Sequence, residues 1–260
     1  MNLPADNVTN LFVHCSAAQR YAAARPYFHP RVIQRIASFT GLNSVDRAID
    51  IACGTGQSAR ALTAIARSVE GVDISAEMLS QSIPHPAIHY YVAPAEHLPF
   101  APSAFDLATV GLAFHWFDQR AFLAEAHRVL KPAGWLIIYT SGFAGEMAEN
   151  PGFRQWAWEV HPRRFPTPPR RSLGVTAELV QPHGFSLAGT ENFAHEETMT
   201  ARQLTAYLLT QTNVIAHVES GGISLAQATD WIEAGVAPFF AGKSATMKFS
   251  GSIWFLYRIS

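Results

Sequence analysis

The chain has 260 residues, 48% hydrophobic and 15% charged, with a formal net charge of −1 at pH 7. That is enough apolar material for one sizeable core, and it excludes a disordered or low-complexity chain. So small a net charge leaves no global field to draw the protein to nucleic acid or to an anionic membrane.

The opening MNLPADNVTN has no basic stretch and no apolar run, so no secretory leader is expected. No apolar stretch approaches the ~20 residues of a membrane helix. The expectation is a soluble, cytoplasmic protein, monomer or homodimer. The two cysteines, Cys15 and Cys53, stand far apart and form no CxxC pair, which supports neither a zinc ribbon nor a disulfide framework.

In chain order, residues 1–46 read as N-terminal helices, AAQRYAAARP and HPRVIQRIASF, separated by Pro26 and Pro30 and closed by Gly41. Residues 47–140 then alternate. Strands are expected at 48–51, 69–73, 88–93, 105–110 and 135–140, and helices at 58–66, 76–82 and 120–130. Ser75 suits the N-cap of the second of these helices. Such alternation with short connections predicts a parallel sheet with helices on both faces, a doubly wound α/β fold. After Thr140 the rhythm breaks. Residues 141–182 mix glycine, tryptophan, proline and arginine. A strand is expected at 185–197, helices at 200–218 and 223–240, and a last strand at 247–259 with Met247, Phe249, Ile253, Phe255 and Tyr257 at period two. The organisation is one domain over 1–260. Its core is 47–140, its last sheet strands are 183–199 and 246–260, and a helical cap comes from 141–182 and 200–242.

Ligands of such sheets bind beyond the carboxyl ends of the strands, where Asp50, Asp73, Ala93 and the 111–115 segment stand. The run IACGTGQSA follows the first strand. It lacks the Gly-Lys-Ser/Thr of a phosphate-binding loop. Gly54, Gly56 and Ala59 do match a dinucleotide fingerprint, with Asp73 at about the ~20-residue spacing that fingerprint asks for. A plain strand-to-helix turn is the third reading. Asp50 weighs against a pyrophosphate, because an aspartate just before the loop repels an anion. A ligand with an ammonium or sulfonium group gains from it, and Asp73 has two oxygens for a pair of ribose hydroxyls.

Taken together, IDIACGTGQSARAL, GVDISAEML, APAEHLPF, FDLATVGLAFHWFD and HRVLKPAGWLII resemble the successive motifs of the class I S-adenosylmethionine-dependent methyltransferases, in that family's order, over about residues 45–140. The resemblance implies a Rossmann-like, doubly wound seven-stranded sheet whose antiparallel last strand inserts between strands five and six. A helical cap follows strand five. It also implies roles. Asp50, Ala52, Gly54 and Gly56 would line the methionine part of S-adenosylmethionine, Asp73 the ribose, and Ile74 and Met78 the adenine. Ala95 and Glu96 would read the adenine edge. Pro94 replaces the family's usual aspartate there, which implies weakened adenine reading. HWFD and FVHCSAAQRYAAARPYFHP resemble the subgroup that includes trans-aconitate methyltransferases, in which a Tyr-x3-Arg-Pro segment, here Tyr21, Arg25 and Pro26, covers the cofactor. Arg25 would pair with the cofactor carboxylate.

On the acceptor side, His115 is either a base or a pocket wall, since its unperturbed pKa lies near neutrality. Trp116 and Trp156 are candidates to touch substrate. HPRRFPTPPRR, residues 161–171, reads as a solvated loop more than an anion guide. His85 and His89 are separated by Pro86 and complete no metal set. The expectation is methyl transfer from S-adenosylmethionine to a small-molecule acceptor at oxygen, carboxylate or hydroxyl. No metal, nucleic acid or membrane is expected to take part. The alternatives are an NAD-dependent oxidoreductase and a cofactor-binding protein without transferase activity.

Overall fold

The computed structural model describes residues 15–168 and 174–259. The opening MNLPADNVTN, the first three residues of FVHCSAAQRYAAARPYFHP and the last three of HPRRFPTPPRR lie outside the described residues. The strands are β1 (Val45–Ile51), β2 (Ala66–Asp73), β3 (Ile88–Val92), β4 (Phe105–Gly111), β5 (Leu130–Tyr139), β6 (Gly142–Met147), β7 (Phe185–Met199) and β8 (Ala245–Arg258). β3, β2, β1, β4 and β5 lie side by side and parallel. β8 runs antiparallel between β5 and β7, pairing Tyr139 with Ile253 on one edge and Phe185 with Arg258 on the other. This is the expected doubly wound order with an inserted antiparallel strand.

The sheet also has a strand that the sequence reading gave to the cap. β8 is longer than β5, and β6 fills the remainder of that edge, with Phe143 opposite Phe249 and Met147 opposite Met247. Three strands begin earlier than their apolar runs. β1 starts at Val45, β2 at Ala66 and β5 at Leu130 because their first turns of ladder carry polar residues such as Arg47, Ser68 and Lys131. The alanine-rich helix expected at 58–66 ends at Leu62, where Ala64 and Ile65 donate to Ala61 and Leu62 in tight turns that feed β2.

Helices cover both faces. α2 (His29–Thr40) lies on one side with α3 (Gln57–Leu62), while α1 (Cys15–Ala24) packs against the helices Ala76–Leu79 and Ala201–Leu208. α2 buries Val32, Ile33 and Ile36 at helical spacing, carries a proline in its first turn, and ends at Gly41 with φ 73°, whose N–H bonds Ala37 O. α4 (Ala76–Leu79) begins at Ser75, whose hydroxyl accepts from Met78 N. α5 (Gln119–Val129) packs the opposite face through Phe122, Leu123, Ala126 and Val129, and Asp118 caps it by accepting from Arg120 and Ala121 N–H groups. Central-strand side chains such as Ile49, Ile51, Leu107 and Ile137 are fully buried between these layers. Truncating one of them is worth ~2–5 kcal/mol.

The helices within 153–164 and 201–236 form a separate apolar cluster above the carboxyl ends of the strands. Ala201–Leu208, Thr212–Glu219 and Leu225–Val236 bury Leu204, Leu208, Val214, Ile232 and Val236 against Met147, Met247 and Phe249. Capping boxes, Thr200 with Gln203 and Ser224 with Gln227, start two of them. The single helix expected at 200–218 is broken near Thr210, whose hydroxyl donates to Tyr207 O at 2.6 Å. Phe153–Gln155 continues through a π-helical turn, Trp156–Val160, into His161–Arg164. The start of the arginine run is therefore helix and not loop.

Candidate functional site

Between sheet and cap lies a cavity of about 740 Å³. Its floor is made by the turns after β1, β2, β4 and β5. At two of these exits a residue other than glycine has left-handed backbone, Ala52 at φ 56° and Leu112 at φ 61°, and both line the cavity. Such strain persists only where the surroundings impose it, and it concentrates at functional sites.

At one end the glycine turn faces the cavity through Ala52, Gly54 and Thr55. Gly54 (φ 56°) donates to Asp73 Oδ2 at 2.8 Å, while Ser75 N donates to Oδ1 at 2.9 Å. Asp73 thus clamps the turns after β1 and β2 together, and its side chain also lines the cavity. A carboxylate oxygen accepts more than one hydrogen bond, so both oxygens retain capacity for a ligand. Burial pushes the Asp73 carboxyl up from its ordinary value, against backbone N–H bonds that hold it down. Ile74 presents an exposed apolar side chain to the cavity, 59% accessible, with Met78, Ala93 and Ala95 beside it. Glu96 reaches the same wall, and its Oε1 already accepts from Asp118 N at 2.8 Å. Pro94 is not among the lining residues.

Two expected residues stand back from the wall. Gly56 (φ 77°) faces Tyr90, whose hydroxyl oxygen would lie 2.2 Å from an added Cβ. Asp50 is fully buried beneath the turn and accepts from the hydroxyls of Ser58 and Thr109. Burial is the main cause that pushes its carboxyl up to about 7, with the Asp73 charge adding to it and hydrogen bonds opposing. Asp50 therefore meets the cavity through Ser58, which lines it, and not as a direct wall residue.

Arg25 is half-buried and lines the cavity. Its Nη2 donates to Thr210 O at 2.8 Å, and its guanidinium lies 4.7 Å from the Tyr21 ring centroid and 5.0 Å from that of Tyr207. It straps α1 across the cavity mouth to the cap.

At the other end, His115 sits in a short 3-10 turn, Phe114–Trp116, past the end of β4. It is buried, lines the cavity, and its ring lies 4.7 Å from that of Trp116. Trp156 faces them from the π-helical turn, stacked at 6.0 Å on Trp231. The structure brings in wall residues that the sequence reading did not single out: His29, Ser141, His161, Tyr207 and Asn213. His29 Nδ1 bonds the Tyr139 hydroxyl at 2.8 Å and burial pushes its pKa down to about 3; His161 is pushed down to about 4. Among the described residues, no group of three or more His, Cys, Asp or Glu could hold a metal, and no helix is long and apolar enough to cross a membrane.

Residues 49–138 match the profile of the family described as "Methyltransferase domain". The malonyl-[acyl-carrier protein] O-methyltransferase of Pectobacterium atrosepticum is 32% identical over 133 residues, covering 50% of this chain and 50% of that protein. The chain spans about half the length of the curated relatives it matches. Among solved structures, a protein of Anaeromyxobacter dehalogenans provisionally assigned as a type II methyltransferase aligns with a TM-score of 0.66 at 23% identity, over 87% of this chain and 95% of that one. Haemonchus contortus phosphoethanolamine N-methyltransferase 2, in complex with S-adenosyl-L-methionine, aligns at 0.56 and 19% identity, over 100% and 61%. At these identities the structural likenesses establish the fold.

Proposed function

We propose that this chain, whose residues 49–138 match a methyltransferase-domain profile, is a class I S-adenosylmethionine-dependent methyltransferase that transfers a methyl group from S-adenosylmethionine to a small-molecule acceptor at oxygen. The observation that carries the reading is the continuity of the cavity. One space joins the Asp73 end, with its glycine turn and apolar Ile74–Met78 shelf, to the His115 end beneath the cap.

The residues at the first end suit the cofactor. Gly54 has no Cβ where the ligand backbone must pass, and an added Cβ would press on Met78 at 3.0 Å. Asp73 takes the ribose hydroxyls, Ile74 and Met78 cover the adenine, and Ala95 and Glu96 stand at its edge. Arg25 and Tyr21 close the side on which the cofactor carboxylate would lie. Asp50 accepts from the Ser58 hydroxyl and so holds Ser58 in place beneath the cationic group. Bound there, S-adenosylmethionine supplies an electrophilic methyl on a positively charged sulfur.

The cap supplies the rest. Trp116 and Trp156 give an aromatic wall to orient an acceptor, and the cap helices exclude water from it. Transfer to oxygen is favoured because the acceptor end has polar neutral groups, and the O-methyltransferase named above is 32% identical over 133 residues. The test is calorimetric titration with S-adenosylhomocysteine, with NAD in a parallel cell. Micromolar binding of the first alone is expected, weakened several-fold or more in Asp73→Ala. Binding of NAD in its place refutes the reading.

A further inference from the structure

Ser141, His195 and Glu197 form a continuous hydrogen-bonded array that no part of the cofactor site uses. Ser141 follows β5 and lines the main cavity. Its hydroxyl oxygen lies 3.0 Å from His195 Nε2, and His195 Nδ1 lies 3.0 Å from Glu197 Oε1. Ser141 and the His195–Glu197 pair of β7 come from two separate stretches of chain, brought together because β6 and β7 pair with β8 on either side of Phe249.

The chemistry of the partners fixes the direction of the array. An ionised carboxylate only accepts, so Nδ1 carries the imidazole proton and donates it to Glu197. Nε2 is then the acceptor, and the Ser141 hydroxyl donates to it. The ring is held by stacking on Phe28 at 5.3 Å and on Phe249 at 5.0 Å, with interplanar angles of 14° and 15°. Exposure changes along the array. The His195 side chain is 0% exposed, while that of Glu197 is 27% exposed. One end therefore opens on the cavity and the other on solvent, with a sealed imidazole between them.

We propose that Ser141, His195 and Glu197 are a proton relay that deprotonates a hydroxyl acceptor and delivers the proton towards solvent. The proposal rests on the methyl-transfer reading above and narrows its acceptor to an alcohol or phenol. As the acceptor oxygen bonds to the methyl carbon, the carbon–sulfur bond breaks and its electron pair stays on the neutral thioether. The acceptor proton passes to Ser141 Oγ as the proton of Ser141 passes to His195 Nε2. Glu197 then stabilises the imidazolium, which discharges through the exposed end. Ser141 is the catalytic residue, and His195 and Glu197 act through it.

The groups acting on His195 are few. Burial holds its pKa below the ordinary value, Glu197 on its own strand raises it, and Arg31 of α2 lowers it. His29, on α2 beside Phe28, is itself pushed down to about 3 and stays neutral. Phe249 of β8 and Ser141 add no charge. His195 is therefore neutral and ready to accept a proton near neutral pH.

The test has an activity arm and a spectroscopic arm. Transfer from labelled S-adenosylmethionine is measured with phenol, catechol, benzoate and aniline, using wild type, Ser141→Ala and Glu197→Gln. Expected is transfer to the phenols, with kcat lowered roughly 100-fold in Ser141→Ala. The KM and binding of the cofactor should not change, and the acidic limb of the kcat–pH profile should disappear. Transfer confined to benzoate or aniline, or a Ser141→Ala enzyme as fast as wild type on phenols, overturns the relay. Nitrogen-15 NMR of the imidazoles in the free protein is the second readout. It should find His195 as the Nδ1–H tautomer in wild type and altered in Glu197→Gln. An Nε2–H tautomer in wild type overturns the proposal whatever the acceptor. Failure to bind S-adenosylhomocysteine would instead refute the functional reading, and the hydroxyl assignment with it.

Discussion

Asp50→Asn should change how stability depends on pH, because Asp50 is a fully buried carboxyl pushed up to about 7 from 3.8. Its folded pKa lies above its unfolded one, so between those values the folded state holds more protons. Its contribution to stability is complete below the unfolded value and is lost as pH rises through the folded one. The shift of about 3 units corresponds to about 4 kcal/mol, or about 1.4 kcal/mol for each pH unit inside the window. The wild-type curve alone does not report this. His29 and His161 are pushed down to about 3 and about 4 by burial, so each adds stability as pH rises towards 6.5, with the opposite sign. The difference between wild type and Asp50→Asn cancels those histidines. Asparagine keeps the volume and one acceptor for the hydroxyls of Ser58 and Thr109. Urea unfolding of both proteins at pH values from about 4.5 to about 6.5 should show the difference moving in favour of the variant by about 2.7 kcal/mol. A difference that stays flat across that range would mean the carboxyl titrates normally in the folded state, and the burial argument for Asp50 would fail.

Gly56→Ala places a methyl group 2.2 Å from the Tyr90 hydroxyl oxygen at a φ of 77°. It should cost about 1–3 kcal/mol in thermal or urea unfolding; a neutral effect would show that the glycine turn can relax. Ile36→Ala removes a fully buried side chain of α2 and should cost ~2–5 kcal/mol, read by the same unfolding curves. A loss under ~1 kcal/mol would mean that α2 is not packed as described. His115→Ala separates base from wall. If the relay through Ser141 is the base, turnover of a phenol falls only a few-fold with cofactor affinity unchanged; a collapse of kcat comparable to that of Ser141→Ala would assign the proton transfer to His115.

Legibility along the chain followed the range of the interactions involved. The core was readable because its signals are local. The apolar run ending at Asp50, the glycines after it, Asp73 with Ser75 two residues later, and the spacing of Phe122, Leu123 and Ala126 each sit within one element. The cap and the sheet edge depend on distant partners. β6 exists because β8 leaves backbone groups unpaired beyond β5, and nothing in GFAGEM announces that. The π-helical turn at Trp156–Val160 aims Trp156, Ala157 and Trp158 into the cavity, an offset that a period of 3.6 does not supply. Asp50 stands out in the sequence as a strand-end acid but its depth does not, because sequence gives strand position and not burial; Ser58 and Thr109 cover it. His195 and Glu197 share one strand face, but nothing local marks them as a pair, and the placement of Ser141 against them depends on strands pairing across 54 residues.

The most direct test of the account is a crystal structure of the protein with S-adenosylhomocysteine. The account predicts the ribose hydroxyls within hydrogen-bond distance of Asp73, the adenine over Ile74 and Met78, and the sulfur directed to the space between His115 and Ser141. A ligand bound elsewhere, or lying with its sulfur turned away from that space, would contradict it.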